Sequence, residues 1–200
     1  MSTEEAAYPT DLEAIVTLPD KTAIRVRALH RCEDGPIREL FENLSLRSRY
    51  LRFLSPLASL PESLVTLLTA VDHRRTLALV ALHESNRGLE VVGLASFGAL
   101  DDTQAEVALV VRDDWQRRHI GTELAERVLV AAEQRGFHQF VATFFSDNAA
   151  IRGVLARVGV VMSSSVSGSL SELVFMRRTE TSPSQCFAYL LSGGSVGLPV

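Results

Sequence analysis

The sequence predicts an α+β fold, a mixed but largely antiparallel sheet of six to seven strands with helices packed on its faces. Three observations carry that expectation. Strand-like runs rich in Val, Leu and Ala follow one another between residues 76 and 111. Apolar residues recur at helical spacing in four separate stretches. The two patterns do not alternate regularly but run as strand, two helices, three strands, helix, strand, helix and a closing strand pair.

The elements read in order as follows. Residues 1–20, with Pro9 and Pro19, form an arm leading into a domain that spans 21–178. A strand is expected at Thr22 to Ala28. Pro36 opens a helix whose Ile37, Leu40, Phe41 and Leu44 share one face. An arginine-rich connection, Leu46 to Phe53, leads to Pro61 at a first helical position, with Leu64, Leu67, Leu68 and Val71 on one stripe. Thr76 to His83 and Leu89 to Leu100 are strands joined by a turn-rich hairpin, and Asp101-Asp102-Thr103 turns into a strand from Ala105 to Val111. Ile120, Leu124, Val128 and Ala131 mark a helix that stops at Gly136. Phe140 to Phe145 is a strand by its aromatic and β-branched content. Ser146-Asp147-Asn148 offers N-cap residues for a helix carrying Ile151, Val154, Leu155 and Val158, ended by Gly159. Strands at Gly159 to Met162 and Leu170 to Arg177 close the domain. The remainder, 179–200, contains an apolar stretch, Cys186 to Leu191, that either docks on the domain or on a second subunit of a homodimer, or trails as a tail.

Two hundred residues, 46% hydrophobic and 22% charged, suit one globular domain. A net charge of −4 argues against a broadly basic nucleic-acid surface, so small molecules or proteins are the expected partners. Cys32 and Cys186 show no metal-ligand or redox spacing, and no metal is expected. The acidic start lacks a following apolar region and no apolar run is long enough for a bilayer, so the expectation is a cytoplasmic protein without a membrane segment. Lys21 is the single lysine among twenty basic residues, a usage that suggests an arginine-favouring bacterial genome.

Chemistry concentrates between Ala105 and Thr122, where a strand runs through a polar turn directly into a helix. Successive amides at such a turn, with the helix dipole behind them, make a diphosphate site; Arg117 and Arg118 add positive charge, and Gly121 removes a Cβ that would keep a phosphate away. Turns of this kind are common, and most bind nothing. Gln116-Arg117-Arg118-His119-Ile120-Gly121, however, resembles the Gln/Arg-x-x-Gly-x-Gly/Ala motif of the GNAT acetyltransferase superfamily, in the expected place between the fourth strand and the third helix. The resemblance implies a GNAT-like sheet, acetyl-CoA as acyl donor, and a primary amine as acceptor. It also implies that the amides of residues 116 to 122, Thr122 included, hold the CoA pyrophosphate while Leu109, Val110 and Val111 pair with the pantetheine arm. Within the superfamily the chain looks most similar to bacterial protein-lysine acetyltransferases. Ser48-Arg49-Tyr50-Leu51-Arg52-Phe53 and Ala105-Glu106-Val107-Ala108 before Asp113-Asp114-Trp115-Gln116 carry that likeness, and Asn148 matches the asparagine opening the helix after the fifth strand.

Three positions depart from the pattern. His119 stands where the motif has its first glycine, and a left-handed conformation there costs roughly 1–2 kcal/mol. Leu155 replaces the tyrosine that protonates the departing thiolate in many relatives, and Val160 replaces the phenylalanine after Gly159.

Glu106 is the expected catalytic base. Alternation puts Glu106, Ala108 and Val110 on one face and Val107, Leu109 and Val111 on the other, so burial among apolar neighbours is expected to raise its pKa. A lysine amine must shed its proton at a cost of roughly 4–5 kcal/mol at pH 7 before it attacks a thioester. Tyr50 and Arg52 are candidates for the substrate mouth, and Asp101, Asp102, Asp113 and Asp114 for drawing in a cationic amine. Two rivals stand beside a protein lysine as acceptor: a small-amine acetyltransferase and a catalytically weak acyl-CoA-binding module that regulates a partner.

Overall fold

The computed structural model describes residues 7–86 and 88–179. Its centre is an eight-stranded sheet in the order β1-β2-β3-β4-β5-β6-β8-β7. The strands are β1 (Ala14–Thr17), β2 (Ala23–Ala28), β3 (Thr76–Ser85), β4 (Gly88–Ala99), β5 (Gln104–Val111), β6 (Gln139–Phe145), β7 (Gly159–Ser167) and β8 (Leu170–Arg177). Five helices accompany them: α1 (Gly35–Glu42), α2 (Leu46–Phe53), α3 (Glu62–Thr69), α4 (Ile120–Glu133) and α5 (Ala149–Val158). Every pairing is antiparallel except that of β5 with β6.

β3 is buried on both faces, which is why it reads as an unbroken apolar run. Leu77, Leu79 and Ala81 pack into the cluster under α4, with Leu124, Val128 and Leu129. Ala78, Val80 and Leu82 pack into the cluster under α1, with Ile37, Leu40 and Leu44. β5 divides the same way, Ala105 and Val111 toward α4 and Val110 toward α1, as the alternation requires. Burying the Leu, Ile and Val side chains among these contributes roughly 1.5–3 kcal/mol apiece before chain entropy is counted.

The structure corrects the sequence reading at four places. The arm carries β1, paired antiparallel with β2, and Leu18 is in the core. Leu46 to Phe53 is a helix and not a connection; Ser45 caps it by accepting from the Ser48 amide at 3.1 Å. On α3 the buried side chains are Val65 and Thr69 while Leu67 is exposed, because an eight-residue helix covers the core with a narrower and slightly rotated stripe. β7 continues to Ser167, since its pairing with β8 runs from Gly159↔Arg177 to Ser167↔Leu170 despite a run of serines. α5 ends at Gly159 as expected, with the glycine in extended backbone at φ −123°. Glycine is required because a Cβ there would lie 2.6 Å from the Phe175 ring. The stretch Cys186 to Leu191 lies outside the described residues.

Candidate active site

The site begins where β5 and β6 part. Their parallel pairing covers only Gln104↔Gln139, Ala105↔Phe140 and Glu106↔Val141. Beyond Glu106, β5 stays with β4 as far as Val111, and β6 stays with β8 as far as Phe145. The two strands therefore diverge as a fork, and alternate main-chain groups of Val107 to Val111 face the gap without a ladder partner. A cleft of about 680 Å³ fills the fork, walled by β5, β6, the start of α4, the inner face of α5 and one side of α2.

At the wide end of the fork, a single 3₁₀ turn, Asp113–Trp115, leads through Gln116 into α4. Arg117 (φ 60°) and His119 (φ 71°) both take the left-handed conformation. His119 is thus held in the strained conformation that the sequence raised as a question. As N-cap of α4 it provides no side-chain cap, so the first-turn amides remain directed outward with the helix dipole behind them. Gln116 is a brace: its Nε2 donates to the Val111 carbonyl at 3.1 Å and the Ser48 hydroxyl at 3.3 Å.

Leu109, Val110, Val111, Gln116, Arg117, His119, Gly121, Thr122 and Asn148 all line this one cleft, and Arg52 lines it from α2. Asn148 also caps α5, accepting from the Ile151 amide at 3.3 Å. Two predicted residues point elsewhere. Arg118 turns back to Asp20 and Thr22, each at 2.7 Å, and lies 4.1 Å over the Trp115 ring, so it fixes the turn to the β1–β2 hairpin instead of lining the cleft. Ile120 is 1% exposed and belongs to the core, leaving only its amide to the turn. Gly121 also behaves differently from expectation. A Cβ there would point toward Val154, Leu109 and Val111 at 3.6–3.7 Å, into the cleft and not toward the amides.

At the narrow end stands Glu106, opposite Gly98 on β4 and Val141 on β6. It is exposed, and it sits one residue before Val107, the first β5 residue of the cleft lining. The expected enclosure among apolar neighbours is absent because its face of β5 is covered only farther along, at Val110. A role for this carboxylate rests on position, not on burial. The Arg52 guanidinium is within electrostatic reach of it; burial lowers that guanidinium to about 10 while Glu106 acts in the opposite direction, so Arg52 stays charged at neutral pH. Tyr50 is not in the cleft: it stacks on Phe145, ring centroids 4.4 Å apart, beside a smaller adjoining pocket. Leu155 is buried against the cleft, whose lining among the described residues contains no tyrosine, cysteine or lysine.

The acidic residues expected to attract an amine are occupied in structural bonds. Asp101 takes the amides of Thr103 and Gln104, Asp102 pairs with Arg75, and Asp114 pairs with Arg112. Asp113 accepts from the Ser45 amide (2.9 Å), the Ser45 hydroxyl (2.7 Å) and the Ser48 hydroxyl (2.8 Å). Burial would raise the pKa of Asp113, but those hydrogen bonds outweigh it and hold the carboxyl below the usual aspartate range. This clamp brings α2 over the cleft, adding Arg47, Ser48 and Leu51 to the wall, none of which the sequence reading proposed. The available signal was Ser45, an N-cap residue with no Gly or Pro for the next ten positions.

The family model for the acetyltransferase (GNAT) family matches residues 42–160. An acetyltransferase of Pseudomonas aeruginosa is 26% identical over 148 residues, covering 74% of this chain and 80% of that protein. The acetyltransferase Pat of Mycolicibacterium smegmatis is 42% identical over 59 residues, 30% of this chain and only 18% of that protein. Among solved structures, the GNAT domain of S. lividans PAT superposes with a TM-score of 0.75 at 26% identity, over 85% of this chain and 99% of that one. A Salmonella typhimurium protein assigned as an acetyltransferase and solved with its cofactor acetyl-CoA shares the fold, with a TM-score of 0.58 at 20% identity over 80% of this chain and 97% of that one.

Proposed function

The chain belongs to the acetyltransferase (GNAT) family, and from that premise we propose that it moves an acetyl group from acetyl-CoA to a primary amine, a protein lysine first among the candidates. The observation that carries this reading is the fork. An unpaired strand edge, Val107 to Val111, leads straight to a turn of outward amides at the start of α4. A pantetheine arm needs such an edge for its own amides, and a diphosphate needs such a turn. From Glu106 to Val111 the strand spans roughly 17 Å, which sets the acyl end of an extended thioester arm near Glu106 when its phosphates rest on the turn.

In this reading Arg117 and the amides of residues 117–122 hold the diphosphate, and alternate amides of β5 orient the arm and stabilise the tetrahedral oxyanion. Glu106 attracts the ammonium of the acceptor, takes its proton directly or through one water, and leaves the amine free to attack the thioester carbon. The C–N bond forms first, giving the tetrahedral intermediate; its collapse breaks the C–S bond, and the second proton of the amine nitrogen passes to water. With Leu155 where many family members have a tyrosine, the thiolate leaves as the anion, its conjugate acid having a pKa of about 8.5, and is protonated by solvent. Two steps test the proposal. Calorimetry with acetyl-CoA should show one site per chain. Thiol release should then depend on added amine across a panel of lysine peptides and small amines. Binding without release with any amine would favour the regulatory-module reading; no binding would remove the cleft as an acyl-CoA site.

A further inference from the structure

Two arginines three positions apart on α2 are treated oppositely by the fold. Arg49 donates to four main-chain carbonyls, those of Phe41, Glu42, Leu44 and Ala58, and ties the helical region together. Arg52 has a fully buried Nε without a hydrogen-bond partner, and among the described residues no acceptor bonds any part of its guanidinium. Yet it lines the cleft, within electrostatic reach of the carboxylate at the fork. A buried N–H donor without an acceptor is unfavourable, and a guanidinium edge is shaped for a carboxylate. The contact the structure gives the group, the Phe53 ring 5.3 Å from Cζ, offers it no hydrogen-bond acceptor, so the Nε donor is left for a ligand.

We propose that Arg52 receives a carboxylate of the acceptor, so that the site selects amines that carry a carboxylate close to the reacting nitrogen. This rests on the transferase reading above. Arg52 lines the cleft and Glu106 stands one residue before Val107, where the β5 lining begins; the two are within electrostatic reach and form no ion pair. That arrangement is the complement of an ammonium beside a carboxylate. Arg47, exposed on the same helix and also in the cleft wall, adds a second positive charge. The acids of the wall do not cancel these charges: Asp113 is held by Ser45 and Ser48, and Asp147 lies at the α5 end with no bond to Arg52. A polyamine, cationic at several points, would face Arg52 and Arg47 and be disfavoured.

The carboxylate has two sources, a free amino acid or an acidic side chain next to an acceptor lysine, and matched acceptors distinguish them. The small-molecule pairs are leucine with isoamylamine and lysine with cadaverine; the peptide pair has glutamate or glutamine beside one lysine. The wild-type protein should favour the carboxylate-bearing member of at least one type of pair by tenfold or more in kcat/KM. Arg52→Gln should bring the kcat/KM ratio within each pair close to one, the change falling on KM of the carboxylate-bearing member, and Arg52→Lys should restore part of the preference. Equal loss on both members of each pair would overturn the inference, since Arg52 would then serve Glu106 or the fold; so would a wild-type preference for the carboxylate-free amines. Failure to bind acetyl-CoA would instead remove the transferase reading, and this inference with it.

Discussion

His119 opens α4 at φ 71° and ψ −1°, where a non-glycine residue is disfavoured by roughly 1–2 kcal/mol. The sequence exposed this strain, because the residue stands at a motif glycine. His119→Gly relieves it but adds freedom to the unfolded chain, so a net gain of up to about 1 kcal/mol is expected in a denaturation curve. Acetyl-CoA affinity by calorimetry should be kept or improved; a tenfold loss, about 1.4 kcal/mol, would show that the imidazole itself touches the ligand. For Gly121 the sequence reading put an added Cβ toward the phosphate, whereas it would face Val154, Leu109 and Val111, since the direction of an absent Cβ depends on which walls face it. With Leu109, Val111 and Val154 at ordinary contact distance, Gly121→Ala should fold and bind acetyl-CoA almost normally. Gly121→Val extends farther into the cleft and should weaken binding tenfold or more, whereas equal affinity in both variants would place the arm elsewhere. Glu106 shows the same limit. Alternation gave its face, but its exposure depends on where α1 and α2 cover β5, which no local pattern encodes.

At the scale of elements, α2 is the instructive case. Leu46 is 71% exposed and the helix carries three arginines, so no apolar stripe announces it. Its position is set by Asp113, 68 residues from Ser45, and a contact that distant cannot be read from helical periodicity. Asp113→Asn should lower stability by about 1 kcal/mol at neutral pH, a figure already discounted for exposure, and should loosen the cleft wall. The pH dependence follows from the depressed carboxyl. Because the folded pKa lies below the unfolded value of about 3.9, the contribution is complete above that pH and disappears as pH falls through the folded value. Melting curves of wild type and Asp113→Asn should therefore converge below about pH 4; a gap that persists in acid would mean that shape, not charge, holds the clamp. β7 escaped for a related reason: its serines lack strand propensity, and pairing with β8 overrides that preference.

For the whole molecule, the order of the elements other than β1 and α2 was legible because each of those carries its own period, while the fork was not, because it arises from strand order. β8 lies between β6 and β7, so β6 is paired on its far side and free to turn away from β5 after three residue pairs. That divergence creates a cleft with amides at one end and Glu106 at the other, and it is the feature on which the proposed acetyl transfer rests. The most direct test is the rate of thiol release from acetyl-CoA with a saturating amine acceptor, measured for wild type and Glu106→Gln across pH 6 to 10. With Glu106 as base, the variant should lose about 10²-fold at pH 7, the lower end of the usual range since the carboxylate is exposed, and recover part of that loss as the amine deprotonates at high pH. Its calorimetric affinity for acetyl-CoA should stay near wild type. Near-normal turnover of Glu106→Gln at every pH would contradict the assignment and return Glu106 to an ordinary strand residue.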